Sequence, residues 1–226
     1  MAAKKTGLTV TFIILGAVLL VLATYFVASY YFSNQASIQK EKDISFVRDY
    51  SVAINHIYVG MQRGYLSVDN LNTGNNYVSG DSSGVVTYYY AIAEPFYTTS
   101  KDQAIEAKEY FSKAKIKLET IKDSSPNDFF RDEINNRLEQ ISYLIIWTDL
   151  IYNQSDYAQK ELYEINYGSA VKANEYWVKY NALIPEGNSN QKNLGDITAK
   201  IDSAWDQEWY PAYQAPITGG VIASPF

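Results

Sequence analysis

A single histidine, His56, is the only imidazole in 226 residues, and there is no cysteine. General-base work by His56 would need a carboxylate or nucleophile one helical turn away, but position 52 is Val and position 60 is Gly. The residue therefore reads as a packing histidine. Without cysteine there are no disulfides, thiolate metal sites, iron–sulfur clusters or thiol nucleophiles. Carboxylates are the other reactive groups. Asp202, Asp206 and Glu208 cluster late in the chain, and Glu161 and Glu164 lie earlier. A glycosidase-type pair needs two differently tuned carboxyls facing one cleft, whereas charges opposite an apolar stripe form a solvated face, the reading preferred here. Asn70, Asn72 and Asp81 imitate positions one, three and twelve of a calcium loop. The first Asp, the final Glu and the central Gly are missing, Asn75 standing in the sixth place. No phosphate-binding glycine loop, serine elbow or double-histidine helix motif occurs. The expectation is a non-enzymatic chain with no catalytic residue, no metal and no cofactor.

Aromatic residues carry the one unusual enrichment, with 21 Tyr in the chain. Tyr88, Tyr89 and Tyr90 follow a polar stretch, and Trp205, Trp209, Tyr210 and Tyr213 gather near the C-terminus. Tyr and Trp bury large area at low entropic cost and keep a polar handle, so these two groups are the candidate partner surface. Asn153-Gln-Ser155 is a glycosylation-type sequon. Lys4 and Lys5 are the only charges before position 33, so the remainder holds 17 of the 19 basic residues against 25 acidic ones, net -8. That balance excludes a nucleic-acid partner, which would require a basic footprint.

Residues 8–32 contain no charge. As a helix they reach roughly 37 Å, more than the hydrocarbon core of a bilayer requires. A cleaved signal would be shorter, and Tyr25, Phe26, Tyr30, Tyr31 and Phe32 sit where an interfacial belt anchors a retained span. Residues 1–7 are then a short cytoplasmic segment, 8–32 a transmembrane helix in lipid, and the bulk of the chain extracytoplasmic. The flanking Lys40 and Lys42 nearly balance Lys4 and Lys5, so orientation rests on the acidic, Tyr- and Asn-rich composition and the sequon. Lys4-Lys5-Thr6-Gly7 before the apolar run loosely resembles the processing site of pilin-like proteins, which makes Gly7 a candidate cleavage position.

Residues 33–210 follow a helical period and predict an all-α, up-and-down bundle of four to five helices. Val47, Tyr50, Ile54, Ile57, Met61, Tyr65 and Val68 form a first stripe, which Gly60 and Gly64 weaken at its end. Ala104, Ala107, Phe111, Ala114, Leu118 and Ile121 form a second, on strict heptad positions. A third helix follows Pro126, with Phe130, Ile134, Leu138, Ile141, Ile145 and Thr148 on one face. Residues 153–156 are expected to end it and cap a fourth helix carrying Leu162, Ile165, Ala170, Ala173, Trp177 and Tyr180. Leu194, Ile197, Ile201 and Trp205 mark a fifth. An irregular Asn/Gly/Ser-rich insertion is expected at 67–95, with a small hairpin from 85–90 back toward Tyr77, and 211–226 reads as an extended tail. In outline this resembles single-pass sensor ectodomains, although neither a second span nor an output domain precedes Phe226. The expected function is that of an anchored interaction or scaffolding subunit of a membrane or surface assembly, partnered by other membrane or surface proteins or by itself. The alternative is a processed pilin-like filament subunit, which would depart from that family in having a helical head.

Overall fold

The structure is a computed structural model describing the backbone of residues 2–80 and 86–205, and the side chains of 29, 32–77 and 89–205. Two compact units divide the chain, Met1–Val47 and Arg48–Phe226. The first contributes the opening of helix α1 (Ala2–Asn76). Its apolar run at 8–32 falls almost wholly on residues whose side chains lie outside the described set. Among the described residues, no helix is long and apolar enough to cross a membrane.

The second unit is all-α. The rest of α1 is followed by α2 (Tyr90–Ile121), α3 (Asp128–Tyr167), α4 (Ala170–Ala182) and α5 (Ile184–Trp205). Buried positions along α2 run 93, 97, 100, 104, 107, 111, 114, 118 and 121, in alternating steps of four and three. Along α3 a seam of buried positions at 130, 134, 137, 141, 144, 148, 151, 155, 158 and 162 keeps the same rhythm, with Glu133, Asn136, Gln140 and Leu150 buried beside it. Beyond Arg48, α1 repeats it at 50, 53, 57, 60, 64, 67, 71 and 74. A period of 3.5 keeps one seam facing its neighbours along the whole helix, the geometry of bundle packing about 20° off antiparallel.

Cross-helix partners give the topology. Asp49 meets Lys117 and Ser67 meets Ser100, so α2 runs antiparallel to α1. Lys108 meets Asp149 and Lys101 meets Gln159, so α3 runs antiparallel to α2. The fourth position is shared by two helices. Trp205 packs on Phe129 and Gln140 meets Thr198, while Tyr157 stacks on Tyr176 further up. α4 and α5 therefore return antiparallel to α3, broken at Leu183 just before Pro185, whose ring sits at the second position of α5 where no intrahelical donor is needed. The up-and-down order follows the expected one.

Three boundaries are corrected. The expected break at 153–156 is absent, and α3 continues to Tyr167. Ser155 is buried and shares a 2.7 Å hydrogen bond with Ser100, while Asp156 pairs with Lys101 and Lys160. These polar residues are spent on neighbouring groups, not on a cap. The irregular stretch is also shorter than 67–95, because α1 extends to Asn76 and α2 begins at Tyr90. Packing overrides weak propensity there: Ser67, Leu71 and Gly74 continue the seam. Between them Val78–Gly80 and Val86–Tyr88 pair antiparallel, with Val78 opposite Tyr88. Residues 81–85, including Asp81 of the calcium-loop pattern, lie outside the described residues.

Three glycines of α1, Gly60, Gly64 and Gly74, are sockets. A Cβ at Gly60 would stand 2.6 Å from Phe111 Cε1, and one at Gly74 would stand 2.7 Å from Tyr97 Cε1. At Gly64 the ring of Trp147 occupies the same space. Three aromatic rings thus seat directly on backbone, which only glycine permits at these positions.

Candidate functional site

The sequence-predicted aromatics do not form one surface. Tyr90 lies at the start of α2, with its ring 5.8 Å from Tyr163 and 5.5 Å from Tyr167 at the end of α3. Trp205 lies 5.0 Å from Phe129 and 6.2 Å from Phe130, at the beginning of α3. At 1.5 Å per residue those two ends of α3 are about 50 Å apart. Tyr89 is exposed just ahead of α2, and Tyr88 stands in the second strand, its side chain outside the described set. Trp209, Tyr210, Tyr213, Asp206 and Glu208 also lie outside the described residues.

The remaining candidates scatter. Gly7 is in α1, and Asn153 is half-buried in the middle of α3, two positions before the buried Ser155. His56 packs 5.9 Å from the Tyr110 ring. Partial burial, with Lys113 and Lys117 beside it, lowers its pKa from the ordinary value, which suits a neutral packing residue. Asn70 and Asn72 are helical; the Asn70 amide donates to Leu66 O at 2.8 Å and Gln103 Oε1 at 2.9 Å. Among the described residues no group of His, Asp and Glu side chains could hold a metal ion.

A concave site assembles where α4 leans across the upper ends of α1, α2 and α3, smaller than the open groove between α2 and α3 beside Lys108 and Asp149. The concave site encloses about 340 Å³ and is walled by Tyr97, Trp177 and Tyr180, floored by Leu162, and edged by Asn75 and Glu161. That volume is at the small end of the range for ligand pockets, about 300–1,000 Å³. The heptad seam brings Tyr97 and Leu162 inward, and both belong to the buried cluster around Leu71 and Ile151. A polar chain crosses the three helices: Tyr97 OH donates to Asn75 Oδ1 at 3.0 Å, and Asn75 Nδ2 donates to Tyr180 OH at 3.4 Å. Burial pushes the Tyr97 phenol well above its ordinary pKa, so it stays a donor. Asn181 is tied to Trp177 O at 2.8 Å.

Glu161 differs from its neighbours. Among the described residues no hydrogen bond or ion pair reaches it, and burial alone raises its pKa. Sequence reasoning assigned Glu161 and Glu164 together to a solvated face. The structure separates them: Glu164 accepts from Ser169 N at 3.0 Å and stands 3.9 Å from Lys172 Nζ, while Glu161 turns to the aromatic pocket. Nothing in the sequence marked this, because Trp177 and Tyr180 reach Glu161 only through the packing of α4.

Compared with known proteins, the chain matches no family model, no curated protein and no solved structure.

Proposed function

We propose that this chain is a membrane-anchored, non-enzymatic interaction protein, an accessory subunit of a membrane or cell-surface assembly. Its docking face is the tyrosine-rich end of the bundle, where α3 gives way to α4. The observation that carries this reading is the exposure of large side chains there. Tyr167 is 66 % exposed and Val171 is 70 % exposed, with Tyr163, Trp177 and Val178 open beside them. Isolated exposed apolar residues are ordinary, but several aromatics around one helix junction mark an interaction surface. The uncharged run at 8–32 supports the anchor, being long enough for a bilayer once helical. The acidic remainder supports an extracytoplasmic bundle.

The test uses the full chain in its own membranes, with a photo-crosslinking residue placed at Tyr167 and, as control, at the exposed Lys200 of α5. A discrete higher-mass adduct from position 167 and none from position 200 is expected. A clean monomer after gentle detergent extraction, with no adduct at either position, would overturn the reading. N-terminal sequencing of the same material should find the start intact. A chain beginning at Leu8 would replace the accessory subunit with a processed filament subunit.

A further inference from the structure

We infer that the pocket between α1, α2, α3 and α4 is a binding site for a small organic cation, an alkyl- or arylalkylammonium ion, with Glu161 as its counter-ion. The site goes beyond the proposed docking function and does not rest on it. Three observations carry it.

First, Glu161 is a half-buried carboxylate with no cationic neighbour. The basic residues nearest in sequence are committed elsewhere: Lys160 lies 2.6 Å from Asp156, and Lys172 is on the Glu164 side. Among the described residues no Lys or Arg side chain pairs with Glu161. An ionised carboxylate removed from water without a partner is costly, and a ligand cation relieves that cost. Second, the walls are Tyr97, Trp177 and Tyr180, whose ring faces attract an ammonium group. Leu162 and the aromatic bodies meanwhile accept an apolar substituent. Third, the neutral polar groups are largely occupied. Tyr97 and Asn75 hydrogen-bond each other, Asn75 also reaches Tyr180, and Asn181 is held by Trp177 O. A polyhydroxylated ligand such as a sugar would find few free donors and acceptors, whereas a cation needs only the carboxylate.

The probe is benzylamine, cationic at neutral pH, compared with neutral benzyl alcohol of the same shape. Both are titrated by calorimetry into the full chain in mild detergent at low salt. Benzylamine is expected to bind saturably and about tenfold or more tighter than benzyl alcohol, the ordinary effect of a charge-assisted contact. Glu161→Gln should abolish that preference, because it keeps the shape and removes the charge. Trp177→Ala should weaken benzylamine while leaving the rest of the bundle intact, since Trp177 is exposed at the rim. Equal affinity for the two probes, a preference that survives Glu161→Gln, or no saturable binding of benzylamine would each overturn the assignment. Thermal unfolding of each variant, matched to the parent chain, ensures that lost binding is not lost folding.

Discussion

Glu133→Ala should be among the most damaging single substitutions in the bundle, and the reason is local. The Glu133 side chain has 0 % exposure and Arg137 has 10 %, their Oε1 and Nε atoms being 2.7 Å apart one turn along α3. Tyr50 of α1 donates to the same oxygen at 2.9 Å, and Arg137 Nη1 donates to Gln140 Oε1 at 3.0 Å. Gln140 in turn reaches Thr198 of α5 at 3.1 Å, so one polar layer ties three helices. Burial and the Glu133 carboxylate hold the Tyr50 phenol well above its ordinary pKa. Removing Glu133 leaves a guanidinium buried with a neutral amide for company, a defect of about 3–5 kcal/mol. For a domain of this size each kcal/mol moves the melting temperature by about 2–4 °C, so the shift is about 6–20 °C downward. The pair can also be removed together. Glu133→Leu with Arg137→Met replaces two charges by apolar bulk, takes the Glu133 acceptor from the Tyr50 hydroxyl and the Arg137 donor from Gln140 Oε1, and should cost less than Glu133→Ala. Thermal unfolding of the full chain in mild detergent, followed by far-ultraviolet circular dichroism, compares the variants. A single-substitution loss below about 1 kcal/mol, the value of an exposed ion pair, would refute the argument. So would a double variant less stable than Glu133→Ala.

Two further predictions concern smaller groups. Gly60→Ala should destabilise by about 1–3 kcal/mol, since its Cβ would stand 2.6 Å from Phe111 Cε1, and Phe111→Leu should restore part of the loss. Gly195→Ala in α5 meets nothing within 4 Å and should stabilise by about 0.5–1 kcal/mol, so melting temperatures that move the same way in both variants would contradict the socket reading. Glu161 gives a pH signature. Its folded pKa is raised by burial, so the folded chain binds this proton more tightly than the unfolded chain does. The associated stability is present below the ordinary glutamate value of about 4.3 and is lost as the pH climbs through the raised folded value. Glu161→Gln has no such dependence, so melts over a pH series should show the parent losing ground to the variant as the pH rises. A flat difference would place Glu161 in water, and one of opposite sign would give its carboxylate a cationic or hydrogen-bonding partner.

How much of this was legible varies by helix, and the reason is side-chain size. In α2 the seam is Ala, Phe, Leu and Ile with lysines and glutamates around it, so the period shows without ambiguity and all six expected residues are buried. In α3 four of the six expected stripe residues, Phe130, Ile134, Ile141 and Thr148, are buried, but Arg137 and Leu144 hold the places assigned to Leu138 and Ile145. A charged seam residue is invisible to hydropathy, and only the partner Glu133, one turn earlier, hinted at it. In α1 the small residues misled. Gly60 and Gly64 read as helix-weakening, yet they and Ser67 are buried, because Phe111 and Trp147 supply the bulk from the facing helices. Volume at such a contact is shared across two chain segments far apart in sequence, and no single window contains it.

The tyrosines resolve along the same lines. Tyr50 and Tyr97 are buried, and each hydroxyl finds a partner, Glu133 and Asn75 respectively. They are core residues with a polar end, and composition alone could not separate them from surface tyrosines. Tyr163 and Tyr167 are exposed, crowd the Tyr90 ring, and occupy the last two turns of α3 before the chain turns at Gly168. The helix gains little from aromatic residues on a solvated face, where straight-chain residues have the better propensity. The pocket lies beside this cluster and shares α4 with it, Trp177 standing at its rim and Val178 on the open face. An occupant held by Glu161 and Trp177 would therefore fix the α4 segment that also presents Val171 and Val178. If both proposals hold, partner affinity measured by crosslinking at Tyr167 should rise in the presence of benzylamine, and Glu161→Gln should remove that rise while leaving the basal adduct. Coupling of this kind is reciprocal, so a partner-bound chain should also bind benzylamine more tightly by the same factor. The absence of a rise in both directions would show that α4 does not join the two surfaces.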